Sequence, residues 1–312
     1  LKDKKLLTAA LLLPVTVLFL GAALAAGLLF AHAAGSGPTV PNREAETYTE
    51  IPIEITLTAD DPDRDTVLFQ LTEQPRLGTA TIQGNTLHYA PGSRTGRDQF
   101  SYTAVDATGC TARPAQIRVR ISKNKTGLTY ADLSGDPTHF AALQLAARGV
   151  MTGETIGGCA FFHPSRTVTR SEFIAMATAA ASLPVTASTQ TDFADDSGLS
   201  PWARPFISTA AANGLVSGYR TAGGLTEIRG QNPITIAEAS VILNNLLLHT
   251  TDGAHPVFAG SHTAGSDWAA QAIHTLTRLD VLSPFSAAQE EDTTLTRRTA
   301  CEMLYRTMQL ID

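Results

Sequence analysis

Arg170 sits inside the tetrapeptide Thr169-Arg170-Ser171-Glu172, and its neighbours explain themselves while it does not. A Thr and a Glu three positions apart, ahead of an apolar run, form a capping box that satisfies two orphan backbone donors at a helix start. The Arg adds nothing to that cap and opposes the helix macrodipole. An anion at the helix start offsets this cost, because free N–H groups and a bidentate guanidinium both suit a carboxylate. The competing reading is a solvated surface Arg. The pattern recurs as Thr235-Ile236-Ala237-Glu238, without the Arg, and as Thr296-Arg297-Arg298-Thr299, with a second cation but without the Glu. The box is expected to be intact at Thr169 with Glu172 and at Thr235 with Glu238, and lost at Thr296. At most two good anion sites are expected.

These motifs belong to a longer repeat. Gly149-Val150-Met151-Thr152-Gly153, Gly214-Leu215-Val216-Ser217-Gly218 and Asp280-Val281-Leu282-Ser283-Pro284 align at periods of 65 and 66 residues. Tyr130-Ala131-Asp132, Phe193-Ala194-Asp195 and Phe258-Ala259-Gly260 precede them in register. Each repeat reads as two helices joined by a loop. In the second, Ser200 is expected to cap the first helix, with Pro201 in its first turn. Trp202, Phe206, Ile207, Ala210 and Ala211 share one face, and Gly214 ends the helix. Val241, Ile242, Asn245 and Leu246 form the inward stripe of the second helix. Asp280 and Pro284, replacing Gly in the third repeat, are expected to change its turn.

Upstream the period changes to two. Ile51, Ile53, Ile55 and Leu57 alternate with polar residues or proline, as do Val67, Phe69 and Leu71, then Phe100, Tyr102 and Ala104, then Ile117, Val119 and Ile121. Turn signals at Asp61-Pro62-Asp63, Gln74-Pro75, Gly84-Asn85, Pro91-Gly92 and Thr108-Gly109 separate these runs, which predicts an antiparallel β-sandwich. Asp60, Asp61, Asp63 and Asp65 invite a calcium reading. An EF-hand loop from Asp61 fails at Thr66 and Thr72, so an Asx-rich turn is expected.

The chain opens with Lys2, Lys4 and Lys5 and an apolar run from Leu6 to about Phe30, ending at Ala31-His32-Ala33. A cleaved signal peptide and a retained membrane anchor both fit: the small-residue site favours cleavage, and a run of roughly 25 residues spans a bilayer. Either way the rest is exported. A net charge of −6 argues against a nucleic-acid partner. Three scattered cysteines, Cys110, Cys159 and Cys301, give neither a disulfide framework nor a metal spacing, and are expected as small semi-buried thiols. No cofactor or metal motif is present, and no GxSxG, HExxH or P-loop.

Two resemblances follow from these residues. Residues 130–312 resemble S-layer homology repeats in their Phe-x-Asp, Trp-Ala, Gly-x-x-x-Gly and Thr-Arg-Ala-Glu pattern. Residues 46–122 are similar to cadherin-like or Ig-like bacterial surface repeats. There the matching pieces are Asp61-Pro62-Asp63-Arg64-Asp65, Gln74-Pro75-Arg76-Leu77-Gly78-Thr79, Leu87-His88-Tyr89-Ala90-Pro91, and Gly96-Arg97-Asp98-Gln99-Phe100-Ser101-Tyr102, followed by Val105-Asp106-Ala107-Thr108-Gly109. The organisation is then 1–34 signal or anchor helix, 35–45 linker, 46–122 all-β Ig-like sandwich, 123–129 linker, and repeats at 130–183, 190–249 and 256–312 forming an all-α pseudo-threefold assembly. The resemblance implies a non-catalytic surface protein held on pyruvylated secondary cell-wall polysaccharide, with other surface proteins as further partners. Arg170, Arg297, Trp202, Trp268, Gly153 and Gly218 are the implied glycan-binding residues, and Thr169, Glu172, Thr235, Glu238 and Thr296 the caps. The two Trp have a rival reading as core, and the Gly as plain turns. A membrane-to-wall tether is the alternative function, and a glycan-cleaving enzyme ranks below both.

Overall fold

A computed structural model describes residues 37–250, 268–282 and 293–311. The N-terminal signal or anchor segment lies outside them, as do the Phe258 motif and Pro284. Among the described residues no helix is long and apolar enough to cross a membrane.

Seven strands form the first part: β1 (Arg43–Tyr48), β2 (Ile53–Thr56), β3 (Leu68–Glu73), β4 (Gly78–Gln83), β5 (Thr86–Pro91), β6 (Gly96–Val105) and β7 (Ala115–Ser122). They make two sheets, β1-β7-β6-β3 and β2-β5-β4. Alternation places Ile117, Val119 and Ile121 inward on β7, against Ile53, Leu87, Tyr89 and Phe100. Two features depart from the expected pattern. The β1–β7 pair is parallel. Strand β1 also starts within the stretch predicted as linker, and Thr39 bridges Asp60 before it. The buried carboxylate of Asp98 joins the two sheets, accepting from Arg76 N (2.9 Å), Leu77 N (2.8 Å) and the Tyr89 hydroxyl (2.8 Å). Asp61 Oδ1 accepts from Asp63 N at 2.8 Å, which is the Asx turn expected there.

The second part contains α1 (Thr138–Ala147), hairpin β8 (Glu154–Ile156) with β9 (Cys159–Phe161), α2 (Arg170–Ala180), α3 (Arg204–Ala212), hairpin β10 (Tyr219–Arg220) with β11 (Thr226–Glu227), α4 (Ile236–Thr250), α5 (Ala270–Arg278) and α6 (Arg297–Ile311). Helices α2, α4 and α6 pack pairwise on one another, a central trio. The outer helices are exchanged between segments: α3 packs on α2, α5 on α4 and α1 on α6. The chain thus closes end to start. At the centre three backbone hydrogen bonds run in a ring, Ile234 N to Val168 O (2.9 Å), Val168 N to Leu295 O (3.0 Å) and Leu295 N to Ile234 O (2.8 Å).

Local expectations need four corrections. Helix α3 begins at Arg204 with Pro205 in its first turn, because residues 201–203 form a separate turn that leaves Trp202 51% exposed. Trp268 is likewise exposed, so neither indole is core. On α4 the buried face is Ile242, Leu243, Leu246 and Leu247, with Val241 and Asn245 only half-buried. Finally, Asp280 takes φ 59° and keeps the helix stop that Gly214 makes at φ 72°. Val281 N reaches back to Leu276 O (2.8 Å) as Leu215 N does to Ala210 O (2.9 Å). The three cysteines form no disulfide with one another, and their burial differs: Cys110 is half-buried, Cys159 exposed and Cys301 buried.

Candidate functional site

The junction between α2 and the β10–β11 hairpin gathers the residues best suited to meet a ligand. Thr169 caps α2: Glu172 N donates to Thr169 Oγ1 at 3.3 Å, and Thr169 N to Glu172 Oε2 at 2.9 Å. Glu238 and Thr235 make the same box on α4, at 3.2 and 3.0 Å. On α6 half of it survives, with Thr299 N donating to Thr296 Oγ1 at 3.3 Å. The first free N–H groups of α2 are already spent: Arg170 N donates to Asn232 O and Ser171 N to Gly230 O, both at 2.9 Å. Ile236 N and Arg297 N are engaged in the same way, by Thr293 O (3.0 Å) and Arg166 O (2.8 Å). The backbone of these helix starts is therefore tied into the assembly, which leaves those N–H groups unavailable to a ligand.

The two arginines of the motif differ sharply. Arg297 is buried and fully engaged, with Nε donating to Phe162 O (2.7 Å), Nη2 donating to Thr152 O (2.8 Å), and the guanidinium 4.7 Å from the Phe162 ring centroid. Burial pulls its pKa down from the ordinary arginine value. Arg170 is equally buried, yet its side chain makes no hydrogen bond to protein among the described residues, and its Nε is sealed from solvent without a partner. Its guanidinium lies 4.9 Å from the Tyr219 ring centroid and 3.9 Å from Glu238 Oε2, beyond hydrogen-bonding reach. Arg229 approaches the same ring at 4.7 Å. The Tyr219 hydroxyl donates to Glu238, and burial first, then that carboxylate, push its pKa up.

Gly218 immediately precedes Tyr219, and Gly153 immediately follows the Thr152 carbonyl that Arg297 uses. The structure therefore brings Arg170, Glu238 and Gly218 to one junction, and Arg297 and Gly153 to another. Trp202 and Trp268 stand exposed before α3 and α5. Ile236, where the motif has Arg, is buried.

Two residues of this framework carry no local signal of their role. Asp132 accepts from Phe162 N (2.8 Å) and His163 N (2.6 Å), and Asp195 from Ile228 N (2.9 Å) and Arg229 N (2.8 Å). Each carboxylate holds the segment leading out of its own hairpin, with His163 and Arg229 both at positive φ. Arg298 forks onto Asp136, both contacts at 2.5 Å, so the extra cation of the third motif is a strut between α6 and the start of α1. No group of His, Cys, Asp and Glu that would hold a metal ion occurs among the described residues.

Comparison with known families agrees with this division. A bacterial Ig domain matches residues 36–120, and an S-layer homology domain matches residues 192–239, the middle helical segment with Tyr219 and Glu238. No curated protein matches the chain. Among solved structures, endo-fucoidan hydrolase MfFcnA4 of glycoside hydrolase family 107 is similar at 14% identity and TM-score 0.25, over 30% of this chain and 14% of that one. The D00-D0 domain of intimin is similar at 10% identity and TM-score 0.21, over 30% and 50%. Titin domain M7 is similar at 9% identity and TM-score 0.20, over 28% and 95%. This chain thus spans a small part of the hydrolase, and likenesses at these scores carry no functional argument.

Proposed function

We infer that all three helical segments are S-layer homology repeats, and that they hold the chain non-covalently on an acidic cell-wall polysaccharide with the Ig-like module displayed beyond. The observation that carries this reading is the contrast between the two motif arginines. Arg297 spends its fork on carbonyls, while Arg170 keeps its fork unbonded beside Tyr219. A buried guanidinium without hydrogen bonds is costly unless a partner arrives, and a pyruvate ketal carboxylate on the polymer is such a partner. Trp202 and Trp268, being exposed, are available to stack on sugar rings.

The test is retention of the full chain by purified wall sacculi, before and after acid removal of the secondary polymer. Retention by intact sacculi alone supports the reading, and equal retention by both overturns it. A second reading, a tether between membrane and wall, rests on the apolar run from Leu6 to Phe30. Mass spectrometry of the mature N-terminus decides it, since cleavage after Ala33 removes the run.

A further inference from the structure

The Ig-like module does not simply trail from the helical assembly. Tyr48 on β1 meets Phe140 on α1 edge-on at 5.0 Å, and its hydroxyl accepts from Gln144 Nε2 at 3.0 Å. Around this contact the two parts leave a seam with several hollows, one lined by Tyr48, Phe140 and Gln144 themselves and two others of about 250 Å³ and about 640 Å³. The latter two are walled by Glu54 and Thr56 of β2 on one side and by Pro137, Glu302 and Arg306 on the other. The larger opens past Gln83 and His88 of the Ig-like module and past Thr294 and Arg298 of the helical part. Its size lies in the range of small-molecule sites.

The chemistry of the lining decides what fits. Among the described residues two carboxylates, Glu54 and Glu302, stand against two guanidiniums, Arg298 and Arg306, a balance that favours neither an anion nor a cation. Both guanidiniums are already committed, Arg298 to Asp136 and Arg306 to the Asp280 carbonyl at 2.9 Å. Among the described residues two prolines are the only apolar ones around the larger hollow, which gives a lipid or an aromatic ring little to pack on. The remaining groups are amides, hydroxyls and an imidazole, most of them both donor and acceptor. Among the described residues Glu302 takes one side-chain hydrogen bond, from Thr138 Oγ1 at 2.8 Å, which leaves acceptor capacity on the carboxylate. On the Ig-like wall of the seam His88 Nδ1 lies 3.2 Å from its cross-strand neighbour Glu54.

We propose that this seam is a second saccharide site, built jointly by the β2-β5-β4 sheet and α6, for a neutral, polyhydroxylated sugar unit. It differs from the Arg170 junction in place and in charge and stands without it. Its consequence is that the Ig-like module takes part in ligand binding as well as in spacing.

Saturation-transfer NMR on the full chain tests it, with glucose, galactose and N-acetylglucosamine as neutral probes and glycerol phosphate as the anion. The variants are Gln83→Ala with His88→Ala, side chains outside the core, and Arg170→Ala as the control. Transfer to at least one neutral sugar is expected, reduced fivefold or more in the double variant at unchanged melting temperature and retained in Arg170→Ala. Absence of transfer to all three sugars, or transfer undiminished in the double variant, overturns the proposal. In the Arg170→Ala background, glycerol phosphate transfer that exceeds that of every sugar and falls in the double variant overturns it too. Loss of sacculus retention in Arg170→Ala, with sugar binding kept, bears on the anchoring site alone.

Discussion

Arg297 Nε donates to the carbonyl oxygen of Phe162 at 2.7 Å, joining the last helix to the first segment across 135 positions. With Nη2 on Thr152 O at 2.8 Å and the Arg298–Asp136 fork beside it, this bond closes the helical ring end to start. An outer helix here finds its helical partner in the preceding segment, and among the described residues the helix α1 packs on is α6. The closing contacts therefore hold the surface against which α1 packs.

Replacing Arg297 should accordingly be a stability lesion. Arg297→Met keeps much of the side-chain volume but leaves two carbonyls without their donors, at an expected cost of about 3 kcal/mol. Urea unfolding of the full chain measures it. A change under about 0.5 kcal/mol would show that the ring closes without this bond.

Gly153 and Gly218 make a second stability test. A Cβ on Gly153 would lie 2.3 Å from Phe161 O and 2.4 Å from Tyr130 Cε1. One on Gly218 would lie 2.7 Å from Phe193 Cε1, at a φ of +73° that L residues avoid. Gly153→Ala and Gly218→Ala should each cost about 1–3 kcal/mol through overpacking, with the left-handed φ adding to the cost at Gly218. Gly157→Ala, at φ +60° with open space around it, should suffer from backbone strain alone and lower the melting temperature less than Gly218→Ala. Equal effects at all three would mean that the close approach to Phe161 and Phe193 is unimportant.

What could be read ahead of the structure was what is local. The Thr169–Glu172 and Thr235–Glu238 boxes span three residues, and their bonds form within one helical turn. Alternation along β7 needs only the pleat. The partners of Arg170 and Arg297 depended on which segment supplies the neighbouring hairpin, and sequence periodicity carries no information on that exchange. The same limit explains the indoles. An apolar period shows that a face exists, whereas the turn at 201–203 that lifts Trp202 out of the helix depends on how α3 meets α2. Asp132 and Asp195 stood in a recognisable motif, but their acceptor role joins residues 30 or more positions apart. The parallel β1–β7 pair escaped notice because its first residues sit among linker-like glycine and proline.

Glu302 gives the domain seam a pH dependence. Burial raises its pKa above the usual carboxylate range, against the lowering influence of Thr138, Arg306 and Arg298, while Glu54 across the seam adds to the rise. The folded state then binds the proton more tightly than the unfolded one. Its stabilising contribution is complete below the unfolded value and lost as pH rises through the folded value. Glu302→Gln should therefore be more stable than the parent at neutral pH and show a flatter stability profile above about pH 4.5. Urea midpoints measured across that range check it. A variant less stable at neutrality would mean that the ionised carboxylate is held favourably by Arg306.

The arginine left unbonded carries the functional prediction. If a carboxylate of the wall polymer completes the Arg170 fork, Arg170→Ala should lower affinity by roughly ten- to a hundredfold, the value of about 1.5–3 kcal/mol for a charge-assisted contact. Folding should survive, because this side chain donates no hydrogen bond to protein among the described residues. Arg170→Lys should lose affinity as well, since an ammonium does not reproduce the planar fork. Arg297→Ala should act on stability first, because its donors are already filled by Phe162 and Thr152. Ile236→Arg places a guanidinium at the matching point of the next junction and should gain affinity if that groove is otherwise formed. Isothermal titration with solubilised polymer, at low and high salt, separates these outcomes. If Arg170→Ala leaves both the affinity and its salt dependence unchanged, the anion does not bind there, and the exposed Trp202 and Trp268 become the residues to test next.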